Sequence, residues 1–80
     1  MSKEYYKKRL VDLRAEIARE REAKKRDNAN YASLIKNASS TSTKATYRKS
    51  KIDKAAAHDR RIECLKKEVE RTRDALKRCR

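Results

Sequence analysis

The chain has 80 residues, a length that allows one small domain. Apolar residues make up 36% and charged residues 46%, the net charge is +13, and Gly, Pro, Phe and Trp are all absent. The residues that usually form tight turns and large aromatic cores are therefore missing, and the composition favours long helices or a coiled coil. Full disorder is the competing interpretation, because high charge with low hydrophobicity is typical of disordered chains, so periodicity has to decide.

No segment of the sequence predicts membrane insertion or a cleaved signal. The opening residues lack the apolar core of a secretory signal peptide. No apolar run approaches the roughly 20 residues that a bilayer-spanning helix needs. We expect a cytoplasmic protein, or one exported without a cleaved signal peptide.

The first half of the chain predicts an amphipathic helix with a polar interruption. Its apolar positions follow the alternating four-three spacing of a helical stripe: Tyr6, Leu10, Leu13 and Ile17. The same register then meets Glu20, Lys24 and Asp27 before it returns to Tyr31 and Leu34. The polar interval is interpretable as a charged layer, as a stutter in the repeat, or as a surface completed by a partner.

The uncharged run Ala38–Thr43 predicts a turn between two helices. Asn37 tolerates the left-handed conformation that often ends a helix, and Ser40, Ser42 or Thr43 can cap the start of the next one. Hydroxyl side chains also compete with the helical backbone for hydrogen bonds. Because no Gly or Pro enforces a turn here, a single long bent helix is the alternative.

The second half of the chain carries a heptad repeat. The first seam position recurs every seven residues at Ala55, Ile62, Val69 and Leu76. The second seam position follows three residues later at His58, Leu65, Thr72 and Cys79. This regular spacing indicates a coiled-coil helix whose second seam position is only partly apolar.

Folding the chain back about residue 41 brings the two stripes into register, with Leu13 near Val69 and Ile17 near Leu65. We therefore predict an all-α protein of one domain, residues 1–80, folded as an antiparallel, coiled-coil-like two-helix hairpin. The predicted elements are helix one over about 3–37, a turn over about 38–43 and helix two over about 44–79.

Two helices leave much of each apolar stripe uncovered, and chains this small commonly need a partner for stability. We expect the hairpin to complete a four-helix bundle, either as a homodimer or with a helical protein partner. The predicted partner or oligomer interface consists of Tyr6, Leu10, Leu13, Ile17, Tyr31, Leu34, Ile62, Leu65, Val69 and Leu76.

The sequence carries no pattern typical of an enzyme. His58 is the only histidine and occupies a predicted seam position, and there is no glycine-rich phosphate loop or nucleophile motif. With no CxxC pair and only one histidine we expect no metal site. We also expect no cofactor and no small-molecule substrate. Cys64 and Cys79 would lie roughly 22 Å apart on one helix, which excludes an internal disulfide and leaves reduced thiols or a bridge between subunits.

The net charge of +13 supports a second hypothesis, a small basic nucleic-acid-binding bundle. The densest basic run follows the turn, and Tyr31 and Tyr47 would lie near it and could stack on bases. The predicted hairpin resembles the Rop-like RNA-binding hairpins in architecture only. The candidate polyanion-binding residues are Lys44, Arg48, Lys49, Lys51 and Lys54.

The opening SKEYYKKR, followed by a charged amphipathic helix, resembles the small helical-hairpin partner proteins of type VII secretion, the WXG100-like group. That resemblance implies a hairpin that dimerises or caps a helix of a larger cargo protein and leaves the cell without a signal peptide. The chain departs from the group's motifs. It has no Trp, so Ser39, Ser40 and Thr41 stand where the WxG motif would be, and no tyrosine has an acidic residue four positions later.

Overall fold

The computed structural model describes residues 2–79 and confirms the all-α helical hairpin. Helix α1 spans Lys3–Asn37, and helix α2 spans Thr41–Arg78. The two helices lie side by side in opposite directions along a molecule of 62 × 14 × 12 Å. The single bent helix is therefore excluded.

The connection between the helices consists of Ala38, Ser39 and Ser40 and is shorter than the sequence indicates. Ser40 caps α2, because its Oγ accepts a hydrogen bond from the Thr43 N–H at 3.1 Å. Helix α2 consequently begins at Thr41 rather than near Lys44.

Helix α1 does not end in the left-handed conformation that Asn37 would tolerate. Asn37 stays helical, and the chain leaves α1 through Ala38 in an extended conformation, with φ −70° and ψ 137°. No residue of the described range 2–79 has a positive φ. The turn therefore needs no glycine, which explains how a chain without Gly or Pro still folds back on itself.

Both helices carry favourable ends and a polar surface. The Ser2 side chain caps α1 by accepting from the Tyr5 N–H at 3.3 Å, and Glu4 in the first turn complements the helix dipole. Lys77 and Arg78 do the same in the last turn of α2. Within the described range, neither helix has a stretch long and apolar enough to cross a bilayer.

The apolar core is confined to the half of the hairpin that carries the chain termini. Its members are Leu10, Leu13 and Ile17 of α1 and Ile62 of α2, and Leu13 has no exposed surface. Thr72 is also buried there, and its hydroxyl donates to the Glu68 carbonyl oxygen at 2.8 Å. The core is therefore short compared with the hairpin.

Near the turn, the stripe of α1 leaves its strict heptad register. Leu34, predicted for the seam, is 43% exposed, whereas the adjacent Ile35 is half-buried. A straight α-helix drifts by about 20° for every heptad, so four heptads after Tyr6 the residue facing α2 changes from position 34 to position 35. Leu34 thus lies outside the hairpin's own seam.

Candidate functional site

The polar interval of α1 forms an ionic layer with α2 in the middle of the hairpin. His58 Nδ1 lies 2.5 Å from Glu20 Oε1, and His58 Nε2 lies 2.6 Å from Asp27 Oδ2. The His58 and Glu20 side chains are only 16% and 13% exposed. The charged interval of the sequence is therefore a seam layer, with one imidazole bridging two carboxylates.

Two further ion pairs extend this layer on both sides of the seam. Arg61 Nη1 donates to Glu20 Oε2 at 3.3 Å, and Lys24 Nζ donates to Asp59 Oδ1 at 2.7 Å. We call the whole group the His58 cluster, and it comprises Glu20, Lys24, Asp27, His58, Asp59 and Arg61. With His58 protonated, its three cations balance its three anions.

The geometry of the cluster favours the charged form of His58. A neutral imidazole has only one N–H, so both ring nitrogens donate to carboxylates only when the ring is protonated. The hydrogen bonds to Asp27 and then to Glu20 therefore raise the pKa of His58 above its ordinary 6.5. The hydrogen bond from His58, helped by Arg61, lowers the pKa of Glu20 below its ordinary 4.5.

The cluster engages His58 on both sides of its ring. Each ring nitrogen lies within hydrogen-bonding distance of a carboxylate oxygen. The two carboxylates lie at opposite nitrogens of the ring, and residues 2–79 contain no group of three potential ligands arranged to hold a metal ion.

The cluster also defines the register of the hairpin. The midpoints of its four cross-helix pairs fall between residues 39 and 43, on either side of residue 41. In that register His58 lies opposite Lys24, and Glu20 and Asp27 flank Lys24 on the seam of α1. The sequence pattern identified Glu20 and Asp27 as polar seam positions, but it did not show that His58 bridges their carboxylates.

Two of the grooves between the helices lie on the same side of the hairpin, and the first of these is in the half with the termini. This terminal groove has a volume of about 420 Å³ and an apolar floor of Ile17, Ala18 and Val69. The charged residues lining it are Arg14, Arg21, Lys66, Glu70 and Arg73.

The second groove lies in the half near the turn. This turn groove has a volume of about 530 Å³, and its apolar residues are Ile35, Ile52 and Ala55. Ile52 is 68% exposed. Its polar lining residues are Lys24, Asn28, Arg48 and Lys51.

The two grooves lie end to end on one side of the hairpin, which we call the basic face. Residues spaced by seven share a side of a helix, and α1 contributes such a series with members in both grooves: Arg14, Arg21, Asn28 and Ile35. On α2 the positions of Ile52, Lys66 and Arg73 follow the same spacing. Seven basic side chains and one acidic side chain line its two grooves, and Asp59, which pairs with Lys24, belongs to the same series of α2 positions.

The opposite side of the hairpin, the mixed face, has balanced charges. The charged residues that line its grooves are four basic side chains and three acidic side chains, and His58 lies among them. They are Arg9, Lys54, Arg61, Arg71, Glu20, Asp27 and Glu68. Arg71 pairs with Glu68 at 2.6 Å, as Arg61 pairs with Glu20. Of the two sides, the basic face therefore carries the larger excess of positive charge in its grooves.

The ten predicted interface residues occupy different environments. Four form the buried core: Leu10, Leu13, Ile17 and Ile62. Five are half-buried along the seam: Tyr6, Tyr31, Leu65, Val69 and Leu76. Leu34 alone is exposed. The hairpin's own seam thus uses most of the predicted stripe.

The five candidate polyanion-binding residues do not share one surface. Arg48 and Lys51 line the turn groove, whereas Lys54 lines the mixed face beside His58. Lys44 is half-buried and Lys49 is exposed. Among the cysteines, Cys64 is exposed and Cys79 is half-buried where α2 ends.

Comparison with protein-family models, with curated proteins and with solved structures gives no match for this chain. The function has to be inferred from the hairpin itself.

Proposed function

We propose that this chain is a non-catalytic helical-hairpin protein-interaction module, of the adaptor or secretion-partner type, that packs against another hairpin or against partner helices. The observation that carries the proposal is the incomplete burial of its apolar residues. Among residues 2–79, only four apolar side chains form the core of a hairpin 62 Å long. Val11 and Ile52 are 64% and 68% exposed, and Leu34 and Tyr5 are also exposed.

The surface area supports the same proposal. The chain exposes 6344 Å², whereas a compact protein of 9.4 kDa is expected to expose about 5,000 Å². A bundle of three or four helices buries the sides of the hairpin that two helices leave open. The ionic layer supports a non-catalytic role, because the only histidine has both nitrogens engaged.

The experiment is site-specific photo-cross-linking in the cells that make the protein, combined with sedimentation of the purified chain. A photoreactive residue is placed at Val11 or at Ile52, and at the exposed Arg19 as the control. We expect adducts with a second copy or with a defined helical segment of another protein from positions 11 and 52, above the background at 19. Equal background at all three positions, together with a monomer at every concentration, would refute the proposal.

Nucleic-acid binding is the second candidate, and it is favoured by the seven Lys and Arg side chains that line the two grooves of one face. It predicts binding to random duplex or single-stranded nucleic acid that weakens steeply with salt. Substitution of Arg48 and Lys51 by Gln would weaken that binding, whereas substitution of Lys49 and Lys54 would have less effect. Absence of binding at physiological salt would eliminate this candidate.

A further inference from the structure

We infer that the basic face binds an acidic amphipathic helix from a partner protein, an inference that rests on the proposed function and names the chemistry of its partner. The terminal and turn grooves give this face an apolar floor along its length. Val11 adds to it, because it lies seven residues before Ala18 of the terminal groove and therefore on the same side of α1. A partner helix has to present a matching aliphatic stripe.

The cations at the rims determine the charge of that partner. Within residues 2–79, five of the basic residues lining the two grooves make no ion pair: Arg14, Arg21, Arg48, Lys51 and Arg73. Arg14 and Arg21 belong to α1, whereas the other three belong to α2. Because both helices supply unpaired cations, the partner needs carboxylates on both flanks of its aliphatic stripe.

The length of the basic face sets the length of the partner. On α1 its two grooves extend from Arg14 to Ile35, and 21 residues of α-helix cover about 32 Å. A helix of roughly six turns therefore fills both grooves. Lys24, at the end of the turn groove nearest the terminal groove, pairs with Asp59, so the centre of the face is already neutral.

A second copy of this chain is the wrong occupant for this face. Each copy has a net charge of +13, and packing two basic faces together would oppose five unpaired cations with five others. Nucleic acid fits less well than a helix, because its phosphates do not use the aliphatic floor that Ile35 and Ile52 provide. Neither groove is lined by a tyrosine on which a base could stack.

The test measures binding of designed peptides to the full-length protein by isothermal titration calorimetry. The probe is a synthetic helix of six turns with leucines along one stripe and glutamates on both flanks. One matched peptide replaces the glutamates by lysines, and a second scrambles the acidic sequence so that no stripe remains. We expect the acidic amphipathic helix to bind at least about tenfold more tightly than either matched peptide.

Charge-reversed variants locate the site. Arg21→Glu combined with Arg73→Glu should weaken binding of the acidic helix by about tenfold or more. The control, Arg19→Glu combined with Arg60→Glu, changes two exposed arginines that line neither groove and alters the net charge equally. We expect it to change binding by less than about threefold. Circular dichroism checks folding, and Ile52→Lys, at an exposed position, tests the floor if the reversed pair fails to fold.

Besides a failure of the acidic helix to bind, four results would overturn the inference. They are equal binding of the scrambled peptide, equal weakening by the groove and control variants, tighter binding of duplex nucleic acid with the same groove dependence, and a dimer of the wild-type chain that Arg21→Glu with Arg73→Glu dissociates. Failure of the acidic helix to bind, with cross-links still formed at Ile52, would refute this partner chemistry while leaving the proposed function intact. Failure of both experiments would refute both.

Discussion

The two halves of the hairpin, separated by the His58 cluster, have different seams. The half with the termini buries Leu10, Leu13 and Ile17 against α2, whereas the half near the turn contains no apolar residue of comparable burial. Its seam is half-buried, at positions such as Tyr31 and Ile35, and Ile52 remains exposed. The difference indicates that the half with the termini contributes most of the burial that holds the hairpin together.

The largest expected effect is at the core of the half with the termini. Leu13→Ala removes a side chain with no exposed surface and should lower the free energy of unfolding by about 2–5 kcal/mol. Leu34→Ala, the matched change near the turn, should cost less than about 1 kcal/mol because Leu34 is already exposed. Urea denaturation followed by circular dichroism measures both. Equal losses would show that the core extends to the turn.

The second effect concerns the boundary between the halves and depends on pH. Because the pKa of His58 is raised in the folded chain, its contribution to the free energy of unfolding is fully present below pH 6.5. That contribution is lost as the pH rises through the raised pKa. Because the pKa of Glu20 is lowered in the folded chain, its stabilising contribution is fully present above pH 4.5. That contribution is lost as the pH falls through the lowered pKa. The His58 cluster should therefore stabilise the hairpin most between about pH 4.5 and 6.5.

Urea denaturation across pH, with His58→Gln as the comparison, measures this dependence. The stability difference between wild type and variant should shrink above the pKa of His58. Because His58 is the only histidine, proton NMR gives its titration without overlap. A midpoint at or below 6.5 would contradict the bridged geometry, since two engaged carboxylates must favour the protonated ring.

The smallest effect is at the turn. Ser40→Ala removes the cap of α2 and should cost about 1 kcal/mol. Ser42→Ala, two residues into the helix, is the control, and it should change the stability by less than about 0.5 kcal/mol because the Ser42 side chain caps nothing. Equal effects would show that the helix start is not fixed by Ser40.

The hairpin was predictable because its two apolar stripes, found separately, match when the chain is folded about residue 41. Ser40 was one of three capping candidates, and local chemistry does not choose among them. The heptad pattern placed Leu34 rather than Ile35 opposite α2, because a strict seven-residue repeat ignores the rotation of about 20° per heptad in a straight α-helix. His58 was placed in the seam correctly, but its bridge to Glu20 and Asp27 requires the exact register of two side chains on the opposite helix.

The basic face was not predictable from either helix alone. Arg14 and Arg73 are distant in sequence and each looks like part of an ordinary solvated surface. They become the two rims of one groove only when α1 and α2 lie side by side. Long-range placement, and not residue type, distinguishes these arginines from Arg19 and Arg60.

The three-residue connection has a consequence for how copies of the chain can associate. Every seam contact between α1 and α2 can be made equally well by the α2 of a second chain, as in domain swapping. Ala38, Ser39 and Ser40 use only ordinary backbone conformations, so no glycine or proline locks the chain in its folded-back form. Any exchange of α2 between two chains would therefore require only these three small residues to change conformation.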